Sequence, residues 1–494
     1  MIIQNLIRPA ALTLCVALLA QAPQTQEIRI RADAPSHAFP HFWEQMYGSG
    51  RAVLSLRDDY RRDLRKMKET TGIEYVRFHA IFHDEIGVYN QDAQGKPFYN
   101  YSYVDRIYDG LLAAGVKPFV ELSFMPRQLA ASDQPHAFWY KPRVSPPKDY
   151  AKWDDLIYHF TQHLVERYGI EEAAQWYFEV WNEPNIDFWI GEPKQSTYFT
   201  LYDHTARAVK RANARLRVGG PATAQAAWIE PMIQHCISGN VPLDFVSTHV
   251  YGNDSAKDVF GTDDKIPRPD MVARSVRKVY DEVKRSQRPD LPIIWSEYNA
   301  SYSNEVEVTD SAYMGPWLAN NIRLCDGLTT MMSYWTFSDV FEEQGIVKTP
   351  FYGGYGLIAE GGVPKAALNA FAMLHRLGKQ RLQLNEDDVL ATKRGDGTMA
   401  VAIWNYAPPG ERGIARQVHI TVDGLPASAQ FRLEIVDPQH GSALEAWQAM
   451  GSPAFPTVQQ YRALREAATK TMHVEGASLT LPAHGLALME ISAR

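Results

Sequence analysis

Cysteine is scarce in this chain. Only Cys15, Cys236 and Cys325 occur in 494 residues, and no Cys-x-x-Cys pair is present. That pattern excludes a disulfide framework and a thiolate zinc cluster, leaving at most one bridge between Cys236 and Cys325. Basic charge does not accumulate either. Lys and Arg total 50 against 57 Asp and Glu, for a net charge of −7 with no basic stripe, so nucleic acid is not an expected partner. There is no His-Glu-x-x-His motif, no calcium loop, no internal repeat and no low-complexity linker. Long apolar runs are absent apart from one near the start, between Arg8 and Ala20, which is short for a membrane span. With its leading arginine and the Ala20-Gln21-Ala22 ending it is expected to be a secretory signal over residues 1–22. The mature chain is then expected in the periplasm or outside the cell, with no membrane attachment after cleavage.

Apolar and aromatic residues are plentiful. Hydrophobic residues make up 45% of the chain, with 12 Trp and 25 Tyr, enough for a large domain and a smaller one. Strand and helix patterns alternate from about Phe42 to Leu377. Expected strands are Phe42–Gly48, Tyr75–His79, Lys117–Leu122, Trp176–Trp181, Arg217–Gly219, Asp244–Thr248, Ile293–Ser296 and Met331–Thr336. Helical patterns between them include Tyr60–Thr70, Asp154–Tyr168, Phe199–Ala214 and Met271–Gln287. Eight such units predict an α/β fold, a (β/α)8 barrel over 41–378. A doubly wound sheet would need a phosphate-binding turn after its first strand, and none is there. Gly354-Tyr-Gly-Leu-Ile-Ala359 matches a dinucleotide pattern in letters only, because no strand precedes it and no βαβ unit follows.

Beyond Gly378 short alternating runs separated by Asp396-Gly397 and Pro408-Pro-Gly410 predict a β-sandwich over 379–494. One helix, Thr457–Ala468, interrupts it. Residues 23–40, with the alternating Glu27–Ile30, are expected to add a strand to that sandwich.

Two segments carry chemistry. In Tyr177-Phe-Glu-Val-Trp-Asn-Glu183-Pro an apolar strand ends in Trp, a small polar residue and Glu, and Leu291-Pro-Ile-Ile-Trp-Ser-Glu297-Tyr-Asn299 repeats the arrangement. Parallel barrels place their chemistry at the carboxyl ends of strands. Two carboxylates there are what glycoside hydrolysis requires, one as acid and base and one as nucleophile. Their spacing alone does not say which is which.

With both motifs in view the chain resembles glycoside hydrolase family 39, the family of β-xylosidases and α-L-iduronidases. The resemblance rests on Val180-Trp-Asn-Glu-Pro-Asn185 and Ile294-Trp-Ser-Glu-Tyr-Asn299. It is supported by Gly48-Ser-Gly-Arg51, Val76-Arg-Phe-His79, Ser247-Thr-His-Val-Tyr-Gly252 and Ser333-Tyr-Trp-Thr-Phe-Ser338. It implies that Glu183, on the fourth strand, is the acid/base and Glu297, on the seventh, the nucleophile. It implies that Asn182 bonds the sugar 2-hydroxyl, and that His249 and Tyr251 reach sugar hydroxyls, Tyr251 also donating toward the nucleophile. Arg77 and His79 share one face of the second strand and are further candidates for binding the sugar, and a buried arginine beside Glu297 would hold it charged. Trp335 is a candidate sugar-stacking floor. One of Glu342 and Glu343 is expected to bind sugar, the choice staying open.

The activity implied is that of an exo-acting β-xylosidase needing no cofactor or metal. Oligosaccharide or polysaccharide is the expected partner, and self-association is open. Iduronosyl, arabinosyl and exopolysaccharide linkages are the alternatives within the family, and a non-catalytic sugar-binding protein is the alternative outside it.

Overall fold

Eight parallel strands close into a barrel: Met46–Gly48, Tyr75–Phe78, Lys117–Leu122, Tyr177–Val180, Arg217–Thr223, Phe245–Tyr251, Ile293–Asn299 and Met331–Tyr334. The eighth returns to the first through Ser333 opposite Met46. This computed structural model describes residues 25–426 and 428–492, so the expected signal segment 1–22 lies outside the described residues. The strands are buried along nearly their whole length, as parallel strands under a coat of helices must be.

Alternation along these strands builds the interior in layers. Met46, Tyr75, Phe119, Phe245, Ile294 and Met331 fill the floor as one apolar cluster. Two residues further along, the second, third and fourth strands present Arg77, Glu121 and Glu179, all buried. Polar groups thus begin at mid-barrel and continue to the carboxyl-terminal mouth. Alternation is interrupted where strand pairing shifts register, in the fifth–sixth, sixth–seventh and seventh–eighth pairs. The pairing of the sixth and seventh strands shifts register between Thr248 and His249. Beside this irregularity the consecutive residues Ser296 and Glu297 both meet interior partners, which is how a bulge re-aims side chains.

The first strand begins at Met46 rather than Phe42. Residues 42–45 form a turn after Pro40, with the Phe42 N–H bonded to the Pro40 carbonyl. The fifth strand runs four residues beyond its expected end, and the sixth and seventh run three.

Two sheets follow the barrel. The larger has seven strands in the order Ser36–Ala38, Gln380–Leu382, Val389–Lys393, Met399–Asn405, Gly485–Ser492, Gln430–Val436 and Met472–Glu475. The smaller joins Thr25–Arg31, parallel, to Arg416–Asp423 and then Ser478–Leu481. Gly485–Ser492 went unread in the sequence because both its faces are apolar. Leu486 and Leu488 join the barrel's core, while Ala487, Met489 and Ile491 join the core between the sheets. A run apolar at successive residues, as from Leu486 to Met489, has no period to read. The helix Val458–Thr469 is closed by a capping box between Thr457 and Gln460. Cys236 and Cys325 are buried free thiols. No helix among the described residues is long and apolar enough to cross a membrane.

Leu488 is buried where barrel and sheet meet. Leu488→Ala is expected to cost about 2–5 kcal/mol, the usual range for a leucine cavity, and to lower the calorimetric midpoint. An unchanged midpoint would mean that this contact does not support the fold.

Candidate active site

The fourth strand ends in an unusual backbone. Trp181 and Glu183 have φ of 74° and 45°, a left-handed region that side chains with a Cβ rarely occupy and that recurs at functional sites. Burial of the Trp181 ring, whose Nε1–H donates to the Phe188 carbonyl at 2.7 Å, holds this turn. So does the Glu183 N–H, which donates to the Ala222 carbonyl at 2.7 Å. The result directs the Glu183 carboxyl into a cavity of about 330 Å3 at the barrel mouth. Glu297 lines the same cavity, with Asn182, His79, Tyr251, Trp335 and Glu343. A carboxylate oxygen of Glu183 and one of Glu297 lie within 4.8 Å of each other.

The two carboxyls have different neighbours. Glu297 Oε1 takes the Arg77 Nη1–H at 2.7 Å, and Oε2 takes the Tyr251 hydroxyl at 2.7 Å. Arg77 is wholly buried and also reaches Glu121 at 2.7 Å and Glu179 at 2.6 Å. Its Nη2 donates to Asn182 Oδ1 at 2.9 Å. The Asn182 side chain is thereby oriented with its NH2 group left for the cavity. Among the described residues no lysine or arginine pairs with Glu183. Burial, then the charges of Glu297 and Asp254, push its pKa well above the ordinary carboxyl value. Its Oε1 lies 2.9 Å from His249 Nδ1. Burial and nearby Arg77 hold His249 neutral, its pKa well below the usual imidazole value. One His249 nitrogen then donates and the other accepts, between Glu183 and the Ser296 hydroxyl at 3.1 Å.

His79 behaves oppositely. Burial favours the neutral ring, but Glu121, 2.7 Å from Nδ1, outweighs it with help from Glu297, so the His79 pKa is raised. The other nitrogen sits 3.7 Å from Glu297 and 3.6 Å from Glu343. Burial lifts Glu343 to about 8, which makes it a neutral acid near pH 7, able to donate and accept. Among the described residues Glu343 Oε1 has no hydrogen-bond partner.

Three expectations about sugar contact change with this geometry. Arg77 and His249 do not line the cavity but sit beneath it, because each is needed by a carboxyl group. Glu342 turns away, paired with Arg51 at 3.0 Å and Arg57 at 2.6 Å. Several lining residues went unread: Phe188, Gln225, Asp254, Tyr302 and Tyr355. They come from loops whose path the sequence pattern does not give. Asp254, lifted to about 7 by burial, accepts the Tyr251 N–H at 2.8 Å. The Gly354–Ala359 segment also belongs here. Buried Lys365 pairs with Asp310 and Asp339 at 2.6 Å each. Those aspartates accept the Gly353 and Gly356 N–H groups, which fixes Tyr355 between them in the cavity wall.

Two groups among the described residues bring three metal-type ligand atoms within 4.8 Å: Glu183, His249 and Glu297, and separately His41, Glu44 and His375. In the second group both imidazoles hydrogen-bond the buried Glu44 carboxylate, at 2.6 and 2.8 Å.

A closed parallel barrel with paired, buried carboxyls at its fourth and seventh strand ends has the form of a (β/α)8 glycosidase. The family model for glycosyl hydrolases family 39 matches residues 26–485. The chain is 37% identical over 444 residues to a beta-xylosidase of Geobacillus stearothermophilus, covering 88% of each. It is 35% identical over 437 residues to one of Caldicellulosiruptor saccharolyticus, covering 86% of this chain and 88% of that one. The solved structure of a monomeric beta-xylosidase from Caulobacter crescentus CB15 superposes with a TM-score of 0.86 at 33% identity, over 95% of this chain and 99% of that one. The chain therefore belongs to glycoside hydrolase family 39 and is a glycosidase that hydrolyses O-glycosyl bonds, with carbohydrate as its substrate.

Trp335 packs directly over Gly48, where an added Cβ would lie 2.2 Å from the indole Cε3. Gly48→Ala is expected to displace the ring and lower kcat/KM by up to about 100-fold, as misplacing a positioning group does, with the circular dichroism spectrum unchanged. Parent-like kcat/KM would remove Trp335 from the substrate-contacting wall.

Proposed function

We propose that the protein is an exported, exo-acting β-xylosidase that works with retention, releasing xylose from xylo-oligosaccharide ends. The observation that carries the mechanism is the pairing of two nearby carboxyls in opposite surroundings, Glu297 against a buried guanidinium and a phenol, Glu183 with no lysine or arginine paired to it among the described residues. Carboxyl groups about 5–5.5 Å apart belong to the double-displacement class, and oxygens within 4.8 Å favour it. In the first step Glu297 attacks the anomeric carbon while Glu183 gives its proton to the departing glycosidic oxygen. In the second, Glu183 takes a proton from water as the water oxygen attacks the same carbon, freeing Glu297 and the sugar. Asn182, His79, Tyr251, Trp335 and Glu343 bind the sugar, while Arg77 and His249 position the carboxyls.

Xylose is favoured by the two relatives at 37% and 35% identity, both beta-xylosidases. It is favoured also by what lines the cavity. Its lining among the described residues includes Glu183, Asp254, Glu297 and Glu343 but no lysine or arginine, so a uronate carboxylate would lack the cation that a complementary site supplies. Export rests on the composition of residues 1–22.

Nitrophenyl glycosides test the reading. β-Xyloside is expected to be the best substrate, with Glu297→Ala reducing turnover at least about a thousandfold, the scale of losing a nucleophile. Parent-like turnover by Glu297→Ala would overturn the assignment, and preference for another sugar would overturn only the specificity. The pH profile gives a second check. A raised pKa keeps Glu183 protonated to higher pH than an ordinary carboxyl, so kcat/KM is expected to fall on the alkaline side as it ionises. Glu183→Ala should flatten that limb and spare activated aryl glycosides more than oligosaccharides. An unaltered alkaline limb in the variant would assign that ionisation to another group.

A further inference from the structure

Glu342 and Glu343 are adjacent in an irregular loop, yet one carboxyl leaves the cavity and the other lines it. No strand ladder sets the orientation of these residues, so side-chain contacts must. The Glu342 carboxylate receives two guanidinium groups. Arg57, about half exposed, meets Oε1 at 2.6 Å, and Arg51 meets Oε2 at 3.0 Å. Arg51 is only 6% exposed and does more. Its Nε–H donates to Glu85 at 2.9 Å, and its guanidinium carbon lies 5.0 Å from the Tyr140 ring centre and 5.7 Å from that of Trp139. The Trp139 N–H in turn donates to the Glu343 carbonyl at 2.8 Å. One side chain thus ties the loops that follow the first, second, third and eighth strands. Close packing reinforces the tie, since a Cβ at Gly50 would lie 3.0 Å from the Val340 carbonyl oxygen.

We propose that Arg51 is a positioning residue for the glycosidase reaction: by holding Glu342 outward it turns Glu343 into the sugar cavity. The inference rests on the reading of Glu343 as a sugar-binding group. A planar donor with two ion-pair faces and stacked rings does this better than a lysine would. Loss of Arg51 leaves Glu342 with the solvent-screened Arg57 alone, and the loop is then free to rotate Glu343 out.

A double-mutant cycle tests this. Arg51→Met, Glu343→Gln and the double variant would be assayed for kcat/KM on the best aryl glycoside, with thermal midpoints measured alongside. Each single change is expected to lower kcat/KM roughly tenfold, within the range for coupled neighbours. The double variant should then be no worse than Glu343→Gln within about twofold. Losses that multiply, or a parent-like Arg51→Met, would overturn the proposal. A parent-like Glu343→Gln would instead overturn the sugar-binding reading beneath it. Should Arg51→Met fail to fold, Glu342→Gln enters the same cycle with the same expectations.

Discussion

A wholly buried guanidinium is the constraint on which this site depends. Taking an arginine out of water costs several kcal/mol even after relaxation, and only well-placed opposite charges and hydrogen bonds offset it. Arg77 meets that demand with Glu121, Glu179 and Glu297, drawn from the third, fourth and seventh strands, and with the Asn182 amide oxygen. The positions of these groups are therefore not independent. Where Glu297 sits, which way Asn182 turns its amide, and how strongly Glu121 charges His79 all follow from the way one cation is shared.

The contrast between the surroundings of the two cavity carboxyls has the same origin. Arg77 stands with Glu297, and the Glu297 charge then acts on Glu183, which burial already disfavours in its ionised form. His249 adds no positive charge, since burial and Arg77 keep it neutral. Two chemically identical side chains are thereby placed in opposite electrostatic surroundings, the general means by which acid and base roles are separated in one site. The apolar floor of Met46, Phe119, Phe245 and Ile294 excludes water from below, which strengthens every charge interaction above it.

The barrel was legible because its strands and helices differ in period, and the strand-end glutamates because an apolar run gives way abruptly to Trp, a polar residue and Glu. Arg77 and His79 were legible as a same-face pair. The rest fails for identifiable reasons. Glu121 and Glu179 sit inside strands and read as interruptions, although a charge within a buried strand is itself a sign of a partner. Ser296 and Glu297 both reach interior groups only because the pairing slips at a bulge. Glu342 and Glu343 are distinguished by Arg51, which is 291 positions away from Glu342 in the chain. Gly485–Ser492 is apolar on both faces because it serves two cores. In each case the deciding partner is remote in sequence, and periodicity carries only local information.

The central claim is that the environment built around Arg77 makes Glu297 the group that bonds to the sugar. Trapping with a 2-deoxy-2-fluoro-xyloside bearing a good leaving group, followed by mass spectrometry of proteolytic fragments, tests it most directly, because the fluorine slows release of a covalent intermediate. The expected result is a single sugar adduct on the peptide carrying Glu297. An adduct on Glu183, or turnover with inverted anomeric configuration and no adduct, would contradict the account.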